Sequence, residues 1–129
     1  MAVNTEARFR ILYLGSDLEF IKALREQLPK KYRLVTCSDS GSARLFLQSE
    51  IVYHLLLIDF DWKGLDGLEM SVIARPQQQR KRMPIILLIH ASLRSDRKAQ
   101  ARRAEVDECI KKKDVTNVIN AVRRMVEPL

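Results

Sequence analysis

Only two cysteines occur in the 129 residues, Cys37 and Cys109, and they do not form a CxxC pair. A disulfide framework is thereby excluded. Both lie in apolar, strand-like stretches and read as buried thiols in a reducing cytoplasm. Long apolar runs are also missing: a run such as Ile85–Ile89 is far too short to cross a bilayer. The first ten residues carry Glu6, Arg8 and Arg10 and lack an apolar core, which predicts no signal peptide. There is no internal repeat, no low-complexity tract and no Gly/Ser/Pro-rich linker. One domain over residues 1–129 is expected, with 1–7 as an N-terminal tail. HExxH, P-loop, GxSxG and GxGxxG motifs are absent, so a conventional hydrolase or nucleotide enzyme has no support. The expectation is a cytoplasmic binding module, not an enzyme.

What is present is the composition of an ordinary globular domain, 47% hydrophobic and 30% charged. A chain this long buries about two-thirds of the surface its unfolded form exposes, and needs no disulfide or metal to hold it. The net charge is +7 with a pI near 9.7. Either an anionic partner or a plain solvated surface would account for that charge.

Five apolar runs stand out: Phe9–Leu14, Tyr32–Cys37, Val52–Ile58, Ile85–Ile89 and Glu108–Lys111. The third and fourth are almost continuous Leu and Ile, as in strands covered on both faces. Helix-period segments separate them. Asp17–Leu28 carries a stripe of Phe20, Ile21, Leu24 and Leu28, with Asp17 as N-cap and Pro29 as the stop. Ser40–Gln48 offers Ala43, Phe46 and Leu47. Leu68–Arg75 ends at Pro76. Ser95–Glu105 is mostly charged, with Ala99, Ala101 and Ala104 as its apolar positions. Asp114–Val126 has a clean stripe of Val115, Val118, Ile119, Val122 and Met125/Val126, capped by Asp114 or Thr116. Five β-α repeats with short connections and right-handed crossovers predict a doubly wound α/β sheet. Its functional crevice lies at the C-terminal strand ends. That rule picks out Gly15–Asp17, Asp59–Asp61, Ile89–Ser92 and Lys111–Lys113.

The segment Leu55-Leu56-Leu57-Ile58-Asp59-Phe60-Asp61-Trp62-Lys63-Gly64-Leu65-Asp66-Gly67 resembles the third-strand region of response-regulator receiver domains. Asp59, Gly64, Asp66 and Gly67 fall in register with the family pattern. Leu68-Glu69-Met70 and Arg75, Pro84, and Asp107 to Lys112 extend the likeness over about residues 8–127. The resemblance implies a flavodoxin-like (βα)5 parallel sheet in strand order 2-1-3-4-5, two helices on one face and three on the other. It implies Asp59 as the candidate phosphoacceptor, a carboxylate nucleophile. It also implies a Mg2+ ion to neutralise the phosphoryl oxygens, held in the family by two acids after strand 1 and by a carbonyl, here that of Asp61. A Ser or Thr after strand 4 and a Lys after strand 5, here Lys112, would bind the phosphoryl oxygens.

The chain departs from that pattern at most of these positions. Gly15 and Ser16 stand where the acidic pair belongs, and Asp17 falls one residue later, at the helix start. Mg2+ requires hard oxygen ligands in near-octahedral geometry, which glycine and serine do not supply. Any metal site is therefore weak, with Asp59, Asp61 and Asp17 as its candidate ligands. Ile89 replaces the Ser/Thr of the phosphate pocket, with His90 or Ser92 as substitutes if the loop is shifted. Cys109 takes the place of the switch aromatic, and Lys112-Lys113 replaces Lys-Pro. Asp59 and Lys112 remain, and a salt bridge between them would close the pocket without phosphate.

The basic residues Arg97, Lys98, Arg102, Lys111 and Arg123 cluster in the last two helical segments and the fifth strand. In receivers that face serves dimerisation or partner docking. Trp62 reads as loop packing or a partner anchor, and His54 as a satisfied polar residue at a buried strand. The leading reading is a two-component signalling module with impaired phosphorylation. Its partners would be proteins: a histidine kinase, an output domain, another signalling protein, or a second copy through the basic face. No membrane role is expected. The alternatives are a working phosphoacceptor at Asp59, and a basic adaptor for nucleic acid. The second lacks a recognition motif or stacking platform in the sequence.

Overall fold

The computed structural model describes residues 8–60, 83–90 and 95–127. Five parallel strands form one sheet: β1 (Phe9–Leu14), β2 (Tyr32–Cys37), β3 (Leu55–Asp59), β4 (Ile85–Ile89) and β5 (Glu108–Lys111), in the order β2-β1-β3-β4-β5. Four described helices connect them: α1 (Leu18–Gln27), α2 (Ser40–Gln48), α3 (Ser95–Arg103) and α4 (Val115–Val126). The expected helix over 68–75 lies outside the described residues, as do Asp61, Trp62, Gly64, Asp66, Gly67 and Ser92.

Strands β3 and β4 are buried along their whole length, which explains their unbroken Leu/Ile sequences. Side chains alternate between two apolar layers. Leu12, Leu14, Leu56, Ile58, Leu87 and Ile89 pack on one face with Ala43 of α2 and Ala101 of α3. Ile11, Tyr13, Leu55, Leu57, Ile86 and Leu88 pack on the other with Phe20 and Leu24 of α1 and Val118 and Val122 of α4. Each such Leu or Ile contributes about 1.5–3 kcal/mol by leaving water.

Helix ends follow local chemistry. Asp17 caps α1 through a hydrogen bond from the Phe20 N–H at 3.0 Å, and Leu28 closes it before Pro29. Asp39 caps α2 by accepting from the Ser42 N–H at 2.7 Å. Asp114, rather than Thr116, caps α4. Helix α3 buries little beyond Ala101, in keeping with its charged sequence. It ends with Glu105 at φ 60°, the Val106 N–H bonded to the Ala101 carbonyl and the Glu105 N–H to the Arg102 carbonyl. That pattern is a Schellman closure, with glutamate in the left-handed position that glycine fills most readily.

The structure corrects two expectations. The third strand begins at Leu55, not Val52: Val52 is 43% exposed, and only Tyr53 in the lead-in is buried. His54, at that entry, accepts the Arg10 N–H on Nδ1 at 3.0 Å and meets the edge of Phe9. Cys37 is buried, but Cys109 is exposed. Cys109 lies on β5, the edge strand, which pairs with β4 alone, so half of its surroundings are open.

Candidate functional site

The cleft forms where β1, β3 and β5 end. Asp59 is the last residue of β3 and is 7% exposed. Lys112 follows β5 and is 8% exposed, its backbone N–H held by the Ile89 carbonyl at 2.9 Å. Its Nζ lies 3.0 Å from Asp59 Oδ2 and 2.9 Å from Asp17 Oδ2. One ammonium therefore bridges two carboxylates from opposite sides of the cleft. The Phe20 ring lies on a third side, 5.7 Å from Nζ to its centroid. Asp17 serves twice, capping α1 with Oδ1 and pairing with Lys112 through Oδ2.

A further residue completes the cleft. Tyr13 of β1 is fully buried and donates its hydroxyl to Asp59 Oδ2 at 2.5 Å. Its ring packs on Phe20 with centroids 5.4 Å apart. The sequence signal for it is faint: one aromatic with a polar tip among the aliphatic Ile11, Leu12 and Leu14, two residues before Gly15. Asp59 Oδ2 thus takes both the phenol and the ammonium. Asp59 Oδ1 is buried and has no hydrogen-bond partner among the described residues.

The titration behaviour follows from this enclosure. Burial pushes the Asp59 carboxyl up from the ordinary aspartate range, against the pull of Tyr13 and Lys112. Burial, and then the hydrogen bond to Asp59, pushes the Tyr13 phenol up, so it stays a donor across the accessible range. The Phe20 N–H, and then Lys112, hold Asp17 below the usual carboxylate range.

The other positions singled out in the sequence are less involved. Gly15 is buried and brings no donor, and Ser16 is exposed. Ile89 is 6% exposed and belongs to the apolar layer with Leu12 and Leu14. His90 is exposed, and among the described residues no hydrogen bond joins it to Asp59. Cys109, at the position of the switch aromatic, is exposed on β5.

Among the described residues this donor set offers at most a weak site for a divalent metal. Among the described residues no three His, Cys, Asp or Glu side chains converge. Asp17 and Asp59 each give one oxygen to Lys112, Asp59 Oδ1 remains without a hydrogen-bond partner among the described residues, and Asp61 lies outside the described residues. The cation between the carboxylates is the chain's own ammonium.

The basic residues lie along the β5 edge. Lys98, Arg102 and Arg103 on α3, Lys111 and Lys113 at β5, and Arg123 on α4 are exposed. Among the described residues no carboxylate is seen paired with any of these six. Arg97 instead lies over the Phe60 ring, 4.8 Å from its centroid, and Arg124 pairs with Glu108 at 2.9 Å.

No family model matches the chain. Among curated proteins it is similar to the virulence sensor protein BvgS of Bordetella bronchiseptica, 28% identical over 110 residues. That match takes in 81% of this chain but 9% of BvgS, so the chain spans about a tenth of the relative's length. Among solved structures it resembles the phosphorylated cyanobacterial phytochrome response regulator RcpA, with a TM-score of 0.81 at 18% identity, covering 95% of this chain and 97% of that one. It also resembles the receiver domain of a sensor histidine kinase from Pseudomonas aeruginosa, solved with a magnesium ion coordinated in its active-site cleft: TM-score 0.76, 23% identity, 93% and 98% coverage. The receiver domain of an Arabidopsis thaliana histidine kinase, complexed with Mg2+ and BeF3−, gives a TM-score of 0.76 at 16% identity, with 95% and 93% coverage. With its strand order and these likenesses together, the chain is identified as a domain of the response-regulator receiver fold.

Proposed function

We propose that this domain is a two-component signalling module that works through protein contacts, without phosphorylation of Asp59. The observation that carries this reading is the Lys112 ammonium seated between Asp59 and Asp17. A Lys112–Asp59 pair alone is compatible with phosphoryl transfer, but the same ammonium also ties up Asp17, and Gly15 and Ser16 supply no acidic pair to recruit Mg2+. The solved relatives that hold Mg2+ or a phosphoryl mimic suggest what an intact site of this fold binds. Here such binding would be weak, because Asp59 Oδ2 and Asp17 Oδ2 are already paired with Lys112, which leaves Asp59 Oδ1 as the unpartnered oxygen.

The partner surface in this reading is the basic face of α3, β5 and α4. Six exposed cations there favour an acidic protein surface, such as one on a kinase or an output domain. Self-association through the same face would set like charges against each other, so a heterotypic partner is preferred. Such a module would act in the cytoplasm, and among the described residues no helix is long and apolar enough to cross a membrane.

The test is an amide NMR titration with Mg2+, followed by beryllofluoride. The expected result is no saturable shift at Asp59 or Lys112 in an otherwise dispersed spectrum. Saturable shifts at both residues would establish the competing reading, a phosphoacceptor with a rearranged site.

A further inference from the structure

Glycine at position 15 is explained by space, not by backbone conformation. A Cβ on Gly15 would stand 2.4 Å from Asp59 Oδ2, 2.5 Å from the Tyr13 hydroxyl oxygen and 2.6 Å from Tyr13 Cζ. Real Cβ atoms do not approach other atoms so closely. No left-handed φ requires glycine here: among the described residues the only positive φ outside glycine is at Glu105, and Gly15 itself is not in that region. The obstructing atoms belong to one side chain, Tyr13, and to the carboxylate oxygen that its hydroxyl holds. Tyr13 cannot withdraw, because it is fully buried and its ring is packed against Phe20.

We propose that Tyr13 and Gly15 are a matched pair that plugs the cleft, the phenol filling the volume that a side chain at position 15 would need. The phenol then takes over part of the work a metal would do. It donates to Asp59 Oδ2 while Lys112 supplies the positive charge. Loss of the acidic pair is on this view not a simple erosion of one position. An acid returned to position 15 alone would strike Tyr13, so regaining a metal site needs two changes together. The consequence for signalling rests on the reading that Asp59 stays unphosphorylated, whereas the steric claim stands without it.

The decisive measurement is a stability cycle in the intact chain. Gly15→Ala is made in the native background and again with Tyr13→Leu, which removes the hydroxyl and the ring carbon. The lone Gly15→Ala is expected to lower Tm by about 5–10 °C, the scale of overpacking a tight interior. In the Tyr13→Leu background the same change should lower Tm by less than about half as much. Relief comes there because the Asp59 carboxylate, then held by the flexible Lys112 side chain alone, can rotate toward its unpartnered Oδ1 side. A Tyr13→Phe background keeps the ring carbon and should retain most of the penalty. An equal loss in all three backgrounds overturns the plug.

A second arm titrates Mg2+ into Tyr13→Leu/Gly15→Asp and into Gly15→Asp alone, read by amide shifts. Metal-dependent shifts at Asp59 in the double variant only are expected. A folded double variant that ignores Mg2+ refutes the claim that Tyr13 is what excludes the metal. If the double variant does not fold, the alanine cycle still decides. Binding of Mg2+ by the native chain would instead undo the proposed function and leave the steric coupling intact.

Discussion

Replacing Lys112 by methionine removes the charge at the centre of the cleft while keeping most of the buried stem. The magnitude can be worked from the geometry. At 3.0 Å and an effective dielectric of 20, the attraction to Asp59 is about 5.5 kcal/mol. Asp17 adds little, since its side chain is 36% exposed and solvent screens it. Against this stands the cost of burying the ammonium, several kcal/mol. The net loss expected for Lys112→Met at pH 7 is about 3 kcal/mol, because Asp59 is left as a buried carboxylate with only the Tyr13 hydroxyl as partner. The loss should also depend on pH. The folded-state pKa of Asp59 is already raised by burial, and losing Lys112 raises it further. A carboxyl with a raised folded pKa destabilises the fold above that pKa, and the penalty is relieved as pH falls through it toward the unfolded value. The deficit should therefore shrink as pH falls from 7 to about 4, near the ordinary aspartate value. Urea unfolding of both proteins at the two pH values measures it, with matching m-values as the check on two-state behaviour. A deficit under about 1 kcal/mol at pH 7, or one unchanged near the ordinary aspartate pKa of about 4, would refute the buried-pair reasoning. Asp59→Asn is the companion variant. It removes the desolvated charge and leaves Lys112 paired with Asp17, so it should cost less than half as much.

Two other variants test separate parts of the structure. Glu105→Gly should stabilise the domain by about 1 kcal/mol, since glycine adopts the left-handed closure of α3 without a Cβ penalty; thermal unfolding would show a rise of a few degrees. Asp17→Ala should cost about 1 kcal/mol at pH 7 through the lost α1 cap. The Asp17 pKa is held low, so its contribution is present above the ordinary aspartate value and is lost as pH falls through the lower folded one. The native and variant proteins should accordingly converge in stability as pH falls below the ordinary aspartate value, and a gap that stays constant through acid unfolding would argue against the ionised cap.

The sheet was legible because burial writes itself into residue type. Ile85–Ile89 is enclosed on both faces and has no polar residue, and the α4 stripe of Val118, Ile119 and Val122 matches the side that packs on the sheet. The entry to β3 was not legible, because Val52 and Tyr53 have the same strand preference whether or not a neighbour pairs with them. Cys109 was misjudged for a related reason: an apolar strand carries no mark saying that it is the last one in the sheet.

At the cleft the division is sharper. Sequence by itself determined that Asp59 and Lys112 sit at the C-terminal edge of one sheet, that Gly15 and Ser16 bring no carboxylate, and that Asp17 begins a helix. These follow from spacing along the chain and from the side chain each residue carries. Only the tertiary structure decided that Lys112 reaches both Asp59 and Asp17, that Tyr13 lays its hydroxyl on the same oxygen, and that Gly15 is the space this leaves. Those facts depend on distances of a few ångströms, most of them between residues 44 to 95 positions apart in the chain, which no local pattern encodes.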